Sequence, residues 1–184
     1  CEVRYELQAA RLTIDLAVIN RGGGPMPAGC GLHPYFPRRL WDERDRLEIE
    51  APCAGRYPSR DTVPSGPAED DALCRRLRSL APLEDSVRGS EIFGGFGGRA
   101  RLVWPASGVE LTIEASPNLG HLVLFCPHRR DDAPSPLPHV ALEPQSHVTD
   151  AINLAESGRP GTGLAVLGPG ERLQTRTVLE ARSR

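Results

Sequence analysis

The chain has 184 residues, a formal net charge of −2, and 39% hydrophobic and 25% charged residues. That is the size of one domain with room for a core, without the one-sided basic face of a nucleic-acid binder. All 22 basic residues are arginine, which excludes a Schiff-base lysine and a P-loop lysine; no run of about 18 apolar residues suggests a membrane span.

The chain opens at Cys1 with no basic–apolar–small leader, and its beginning is expected to lie outside this sequence. From Arg11 to Ile19 the side chains alternate with period two, the mark of a half-buried strand, and Arg21 to Gly24 reads as a turn. After a loop around Thr62 to Pro67, the stretch Glu69 to Leu80 predicts a short helix, with its acids first and its arginines last as the helix dipole prefers. The glycine-rich run Phe93 to Gly98 is followed by a strand, not a helix. It therefore reads as a tight turn offering Phe93 or Phe96 to a pocket, not as a dinucleotide fingerprint. Further strands are predicted at Ala100–Trp104, Val109–Glu114, His121–Phe125, Val140–Glu143 and Leu173–Leu179, with turns at Ala106–Gly108 and Gly168–Gly170 and an exposed proline-rich loop at Asp131–Pro138. Short strands separated by such turns predict an all-β sandwich or barrel, one domain over residues 1–184. The five cysteines are odd in number, widely spaced and without a C-x-x-C, so free thiols in a reducing cytoplasm are expected. Cys126-Pro127-His128 is half of a metal site with no second half, so no metal is expected.

Two segments concentrate the chemistry. In Gly31-Leu32-His33-Pro34-Tyr35-Phe36-Pro37, two prolines fix the backbone around one histidine and Gly31 permits close approach of another group. Aromatic surface beside His33 tunes its proton affinity; the plainer reading is a partly buried structural histidine. Glu143 ends the apolar stretch Val140-Ala141-Leu142 and precedes Pro144. A carboxylate aimed from a strand end into a cleft suits a general base; the plainer reading is an edge acid facing water. Ser146, His147 and Asp150 do not make a hydrolase triad. Ser146 and His147 are adjacent and face opposite ways in an extended chain, and no G-x-S-x-G elbow occurs. Asp150 before Ala151-Ile152-Asn153 reads as turn capping.

These segments carry a family resemblance. PMPAGCGLHPYFPR, Pro25 to Arg38, resembles the segment with the catalytic histidine of the aldose 1-epimerase (galactose mutarotase) family, and VALEPQSHVTDAINL, Val140 to Leu154, resembles the one with the catalytic glutamate. The stretch FGGFGGRARLVWPASGVELTIEASPNLGHLVLFCP resembles the family's central strands and GLAVLGPGERLQTRTVLEA its closing strand, so the likeness covers nearly the whole chain. The resemblance implies a partial galactose mutarotase-like supersandwich that binds a sugar and needs no cofactor. By motif position His33 would protonate the ring oxygen and Glu143 would take the anomeric hydroxyl proton. Reference pKa values of about 6.5 for His and about 4.3 for Glu allow one to donate and the other to accept near neutrality. Tyr35 and Phe125 are candidates to stack on the sugar and Gln145 to contact a hydroxyl. Members of the family have further strands ahead of this region and a second active-site histidine, which no residue here matches; a fragment, or a piece needing a partner, is expected, with open sheet edges that allow self-association. The family's usual Asp three residues before Phe93 is Ser90 here, a hydrogen-bonding group without charge, and Asp85 is a nearby substitute. A carbohydrate-binding relative without turnover therefore stands beside the enzyme as an alternative.

Overall fold

The computed structural model describes residues 1–129 and 135–184. Its strands β1 (Glu2–Gln8), β2 (Arg11–Ile19), β3 (Met26–Ala28), β4 (Tyr35–Pro37), β5 (Glu48–Glu50), β6 (Gly55–Arg56), β7 (Ser59–Arg60) and β8 (Val63–Pro64) precede helix α1 (Ala72–Arg76). Then come β9 (Ala81–Pro82), β10 (Gly89–Gly94), β11 (Arg99–Trp104), β12 (Val109–Ala115), β13 (His121–Cys126) and β14 (His139–Gln145), helix α2 (Ala151–Glu156), β15 (Ala165–Leu167) and β16 (Arg172–Ser183). Seven strands form one sheet in the order β1-β2-β16-β12-β11-β5-β9, and five form a second in the order β4-β14-β13-β10-β6. The all-β expectation holds, and the predicted strands at 11–19, 100–104, 109–114, 121–125, 140–143 and 173–179 all fall within observed ones. Among the described residues, no helix is long and apolar enough to cross a membrane.

The two sheets face each other over one main core. Ile49, Leu102, Trp104 and Ile113 of the larger sheet meet Phe93, Leu122, Leu124, Val140 and Leu142 of the smaller one. Period two explains the division of labour: alternate residues of β13 and β14 fill this core while their neighbours point to the opposite face. That face is partly covered too, because Ile92 and Val123 pack against Val148 and Ala151 at the start of α2. β13 and β14 therefore read as continuous apolar runs, since both of their faces are dry. Trp104 Nε1 donates to Pro37 O at 2.9 Å, fastening the edge strand β4 to the opposite sheet.

Three expectations need correction. The helix predicted over 69–80 is limited to Ala72–Arg76, because Asp71 caps it by accepting from Cys74 N at 2.8 Å, while Arg78 turns back to Asp70 at 2.9 Å instead of extending it. Asp150 is followed not by a turn but by α2, and its side chain caps no backbone group of that helix; it accepts from Asn153 Nδ2 at 2.5 Å. Phe93 and Phe96 are turned into the main core, 0% and 7% exposed, instead of outward to a pocket, and Gly95 and Gly98, both with positive φ, make the turn beside them. Of the proline-rich loop, residues 131–134 lie outside the described residues.

Candidate active site

The smaller sheet brings the two chemical segments together by register. β4 runs antiparallel to β14 with Tyr35 opposite Ala141 and Pro37 opposite His139, and Gly31 bridges to Gln145 in the same phase. Continuing that register through the intervening residues sets His33 opposite Glu143. The ladder between them is loosened at Pro34, which has no N–H, but Leu32 N still donates to Pro144 O at 3.2 Å. Gly31 is required by space: a Cβ there would lie 2.8 Å from Gln145 Cγ and 3.0 Å from Pro144 O. The close approach anticipated for Gly31 is thus made by β14 itself. Glu143 does not end its strand, as expected from sequence, but sits inside β14, two residues before its end.

His33 Nε2 donates to Glu143 Oε1 at 3.1 Å, and the two side chains differ sharply in exposure, 50% for His33 and 5% for Glu143. Gln145 Nε2 donates to the other carboxylate oxygen, Oε2, at 3.0 Å. Burial pushes the Glu143 carboxyl above the ordinary glutamate range, and the charge of His33 and the hydrogen bond from Gln145 only partly oppose it. A carboxylate held this way is a stronger base than an exposed one, and both of its oxygens have a fixed direction.

Aromatic rings fix His33 in turn. Tyr35 stacks on it with ring centroids 4.7 Å apart and planes 29° from parallel, and Phe125 meets it edge-on at 6.1 Å. Phe125 and Tyr35 touch at 6.5 Å, so the three rings form one cluster. Ser90 lies opposite Phe125 in the β10–β13 register and shares its face of the sheet. His33, Tyr35, Ser90, Phe125, Glu143 and Gln145 therefore all belong to one face. Asp85 does not join them: its carboxylate is exposed and 3.4 Å from Arg38. Ser146 is no free nucleophile, because it is buried and its Oγ accepts from Cys30 N at 2.9 Å.

Two histidines on this face were not anticipated. His139 meets Tyr35 edge-on at 5.2 Å. His121, opposite Gln145 in the β13–β14 register, is buried; burial pushes its pKa down, and its Nε2 lies 3.2 Å from Gly161 O. The alternation of His121-Leu122-Val123 is a signal for the placement of His121, but nothing near His139 marks its place. Cys126 faces the core, where burial pushes its thiol up to about 11, and His128 turns both ring nitrogens to backbone carbonyls, of Cys126 at 3.0 Å and Asp85 at 3.1 Å. All five cysteines are free. A hollow of about 750 Å³ lies between Arg38, Arg46, Leu83 and Glu84, apart from His33 and Glu143; the convergence of acid, base and aromatic groups, not volume, marks the candidate site.

Comparison with known proteins identifies the family and the fold. The family described as aldose 1-epimerase matches residues 1–180. The uncharacterized Escherichia coli K12 protein YphB is 29% identical over 173 residues, covering 91% of this chain and 54% of YphB. A crystal structure of an Escherichia coli K12 protein provisionally described as an aldose 1-epimerase superposes with a TM-score of 0.82 at 27% identity, over 99% of this chain and 60% of that one. A galactose mutarotase-like protein from Clostridium acetobutylicum shares the fold with a TM-score of 0.80 at 17% identity, over 99% of this chain and 55% of that one. The chain thus spans little more than half the length of these relatives.

Proposed function

Since the chain belongs to the aldose 1-epimerase family, we propose that its site interconverts the α and β anomers of a free aldose. The observation that carries this reading is the 3.1 Å contact between His33 Nε2 and Glu143 Oε1, one partner half wet and the other buried. A pyranose entering between them replaces that contact with one hydrogen bond to each residue. Glu143 removes the proton from the anomeric hydroxyl as His33 delivers one to the ring oxygen. The bond from C1 to the ring oxygen breaks, leaving an open-chain aldehyde and a ring-derived hydroxyl. The carbonyl face turns, His33 recovers its proton as that hydroxyl attacks C1, and Glu143 returns the other to the new anomeric oxygen. Each proton transfer by a positioned group is worth about 100- to 10,000-fold. Tyr35 and Phe125 offer flat faces to the sugar, and Ser90 offers a hydroxyl. Gln145 holds Glu143 in place, and the contact with a sugar hydroxyl expected of it belongs to the same proposal. The five free thiols fit a reducing cytoplasm.

Polarimetry on freshly dissolved α-glucose or α-galactose tests the proposal: the rotation should relax faster than the buffer blank, and Glu143→Gln should remove about 100-fold or more of the excess rate. An unaffected rate in Glu143→Gln takes the role away from that residue. The neutral Ser90 in place of the family's usual Asp favours a second reading, a sugar-binding relative without turnover. Binding by calorimetry together with blank-rate relaxation would select it.

A further inference from the structure

The segment that delivers His33 is held to β14 by fewer bonds than its register allows. In an antiparallel pair, every second couple of facing residues exchanges two backbone hydrogen bonds. Around His33 and Glu143 those couples are Pro34 with Leu142, Leu32 with Pro144, and Cys30 with Ser146. Pro34 and Pro144 have no N–H, so the first two couples keep one bond each, Leu142 N to Pro34 O at 3.4 Å and Leu32 N to Pro144 O at 3.2 Å. The third keeps two, but by different means. Ser146 N donates to Cys30 O at 2.8 Å, while Cys30 N donates not to the Ser146 carbonyl but to its side chain, Oγ, at 2.9 Å. The Ser146 carbonyl is turned to Gly163, where a Cβ would lie 2.1 Å from it. A second residue completes the grip. The His147 ring lies on Gly29, whose Cβ position is 2.6 Å from Nδ1 and 2.7 Å from Cε1, and Ser146 Oγ stands 3.4 Å from the same Nδ1. Burial, and then the charge of His121, hold the His147 pKa down, so the ring is neutral near pH 7 and Nδ1 is able to accept.

We propose that Ser146 is a positioning residue for the reaction: its hydroxyl, accepting from Cys30 and donating to His147, fixes the register that sets His33 against Glu143. The inference rests on the reading of His33 and Glu143 as the reacting pair. β14 ends at Gln145, so Ser146 is released from the alternation of the strand and can turn its side chain to the neighbouring backbone. Without that hydroxyl, Cys30 N is a buried donor whose acceptor is gone, and all three couples are reduced to one bond. The segment before β4 then relaxes outward. A displacement of about 0.5 Å is enough to stretch the 3.1 Å contact between His33 and Glu143 beyond hydrogen-bonding length without uncovering the carboxyl.

Titration of the Glu143 carboxyl by carbon NMR tests this without presupposing turnover. Among the described residues His33 is the charged group facing that carboxyl, and its charge lowers the pKa that burial raises. Ser146→Ala should therefore move the midpoint upward, and Ser146→Thr, which keeps the hydroxyl, should restore it. Ser146→Cys fills the same space with a poor acceptor and should also move the midpoint upward, which keeps the test open if the alanine variant does not fold. In polarimetry Ser146→Ala should lower the excess rate about tenfold, through kcat and not KM. An unmoved midpoint in the folded alanine or cysteine variant overturns the proposal, as does a threonine variant that behaves like the alanine one. A midpoint that moves as expected, in a protein whose wild type never outruns the buffer blank, supports the positioning role and removes the anomer reading instead.

Discussion

Replacing Gly31 with Ala tests how His33 is delivered to Glu143. The added Cβ would lie 2.8 Å from Gln145 Cγ, 3.0 Å from Pro144 O and 3.2 Å from Gln145 Cα. Two of these are backbone atoms of β14, a strand paired on both sides, so the loop carrying His33 must yield. Recovering a normal separation of about 3.5 Å requires a shift of roughly 0.5–0.7 Å. Passed on to His33, that shift stretches the 3.1 Å contact with Glu143 toward about 3.7 Å, beyond hydrogen-bonding distance. A misplacement of about 1 Å costs on the order of 100-fold in rate, so about tenfold is expected here. Overpacking should also cost about 1–3 kcal/mol of stability. The polarimetric rate reads the first effect and a urea midpoint the second. Gly23→Ala is the control: nothing lies within 4 Å of its Cβ position and its φ is not positive. A Gly31→Ala protein with the rate and midpoint of that control would refute the reasoning that backbone proximity at Gly31 sets the site.

Other predictions concern charge. Glu143 must be ionised to accept a proton, and its pKa stands above the ordinary range, so kcat/KM should fall toward acid with a limb above the usual glutamate value. Gln145→Leu removes a hydrogen bond that holds this pKa down and should move the limb to higher pH; an unmoved limb would show that Gln145 does not tune the base. The same raised pKa means that the fold loses stability as pH rises through it, because burial disfavours the charge. Glu143→Gln should therefore be at least as stable as the parent at pH 8, with the difference vanishing toward pH 4 in urea titrations. Asp71 has the opposite sign. Burial raises its pKa, but Cys74 N–H and the Arg56 guanidinium more than offset this and leave it lowered. Its contribution is present above the ordinary aspartate value and is lost as pH falls through the folded one. Asp71→Ala should cost about 1 kcal/mol, the usual worth of an N-cap, at pH 7 and less at pH 3; equal costs at both would remove the electrostatic account.

Strands with one dry face announced themselves by alternation: Leu12, Ile14, Leu16 and Val18 against Arg11, Thr13 and Asp15 needed no structure to be read. The helices were harder. Glu69 to Leu80 has helical composition throughout, yet Asp71 and Arg78 find tertiary partners that stop the helix at both ends. α2 is only six residues long, and Ala151 at its start packs in one buried cluster with Val148 and Ile92, a contact that local sequence does not display. Phe93 and Phe96 were misread because glycines between aromatic residues suggest a loop, whereas only the glycines turn and both rings go to the core. At the site, the residue types at His33 and Glu143 were visible, and the family resemblance paired them. Their contact itself comes from a strand register set by residues on either side, which local sequence does not display. That Gln145 spends its amide on Glu143 is likewise a matter of direction, not of composition.

The unequal exposure of His33 and Glu143 has a consequence for isotope exchange. A carboxyl group sealed beneath its neighbours trades hydrogen with bulk water slowly and only through them, whereas the imidazole above it equilibrates at once. In the proposed reaction, a deuteron taken by Glu143 from the anomeric oxygen would therefore return to the same sugar while it stays bound, whereas one taken by His33 would be lost to water. Such an internal return suits a reaction that borrows a hydrogen and gives it back, and would hinder one that must shed it.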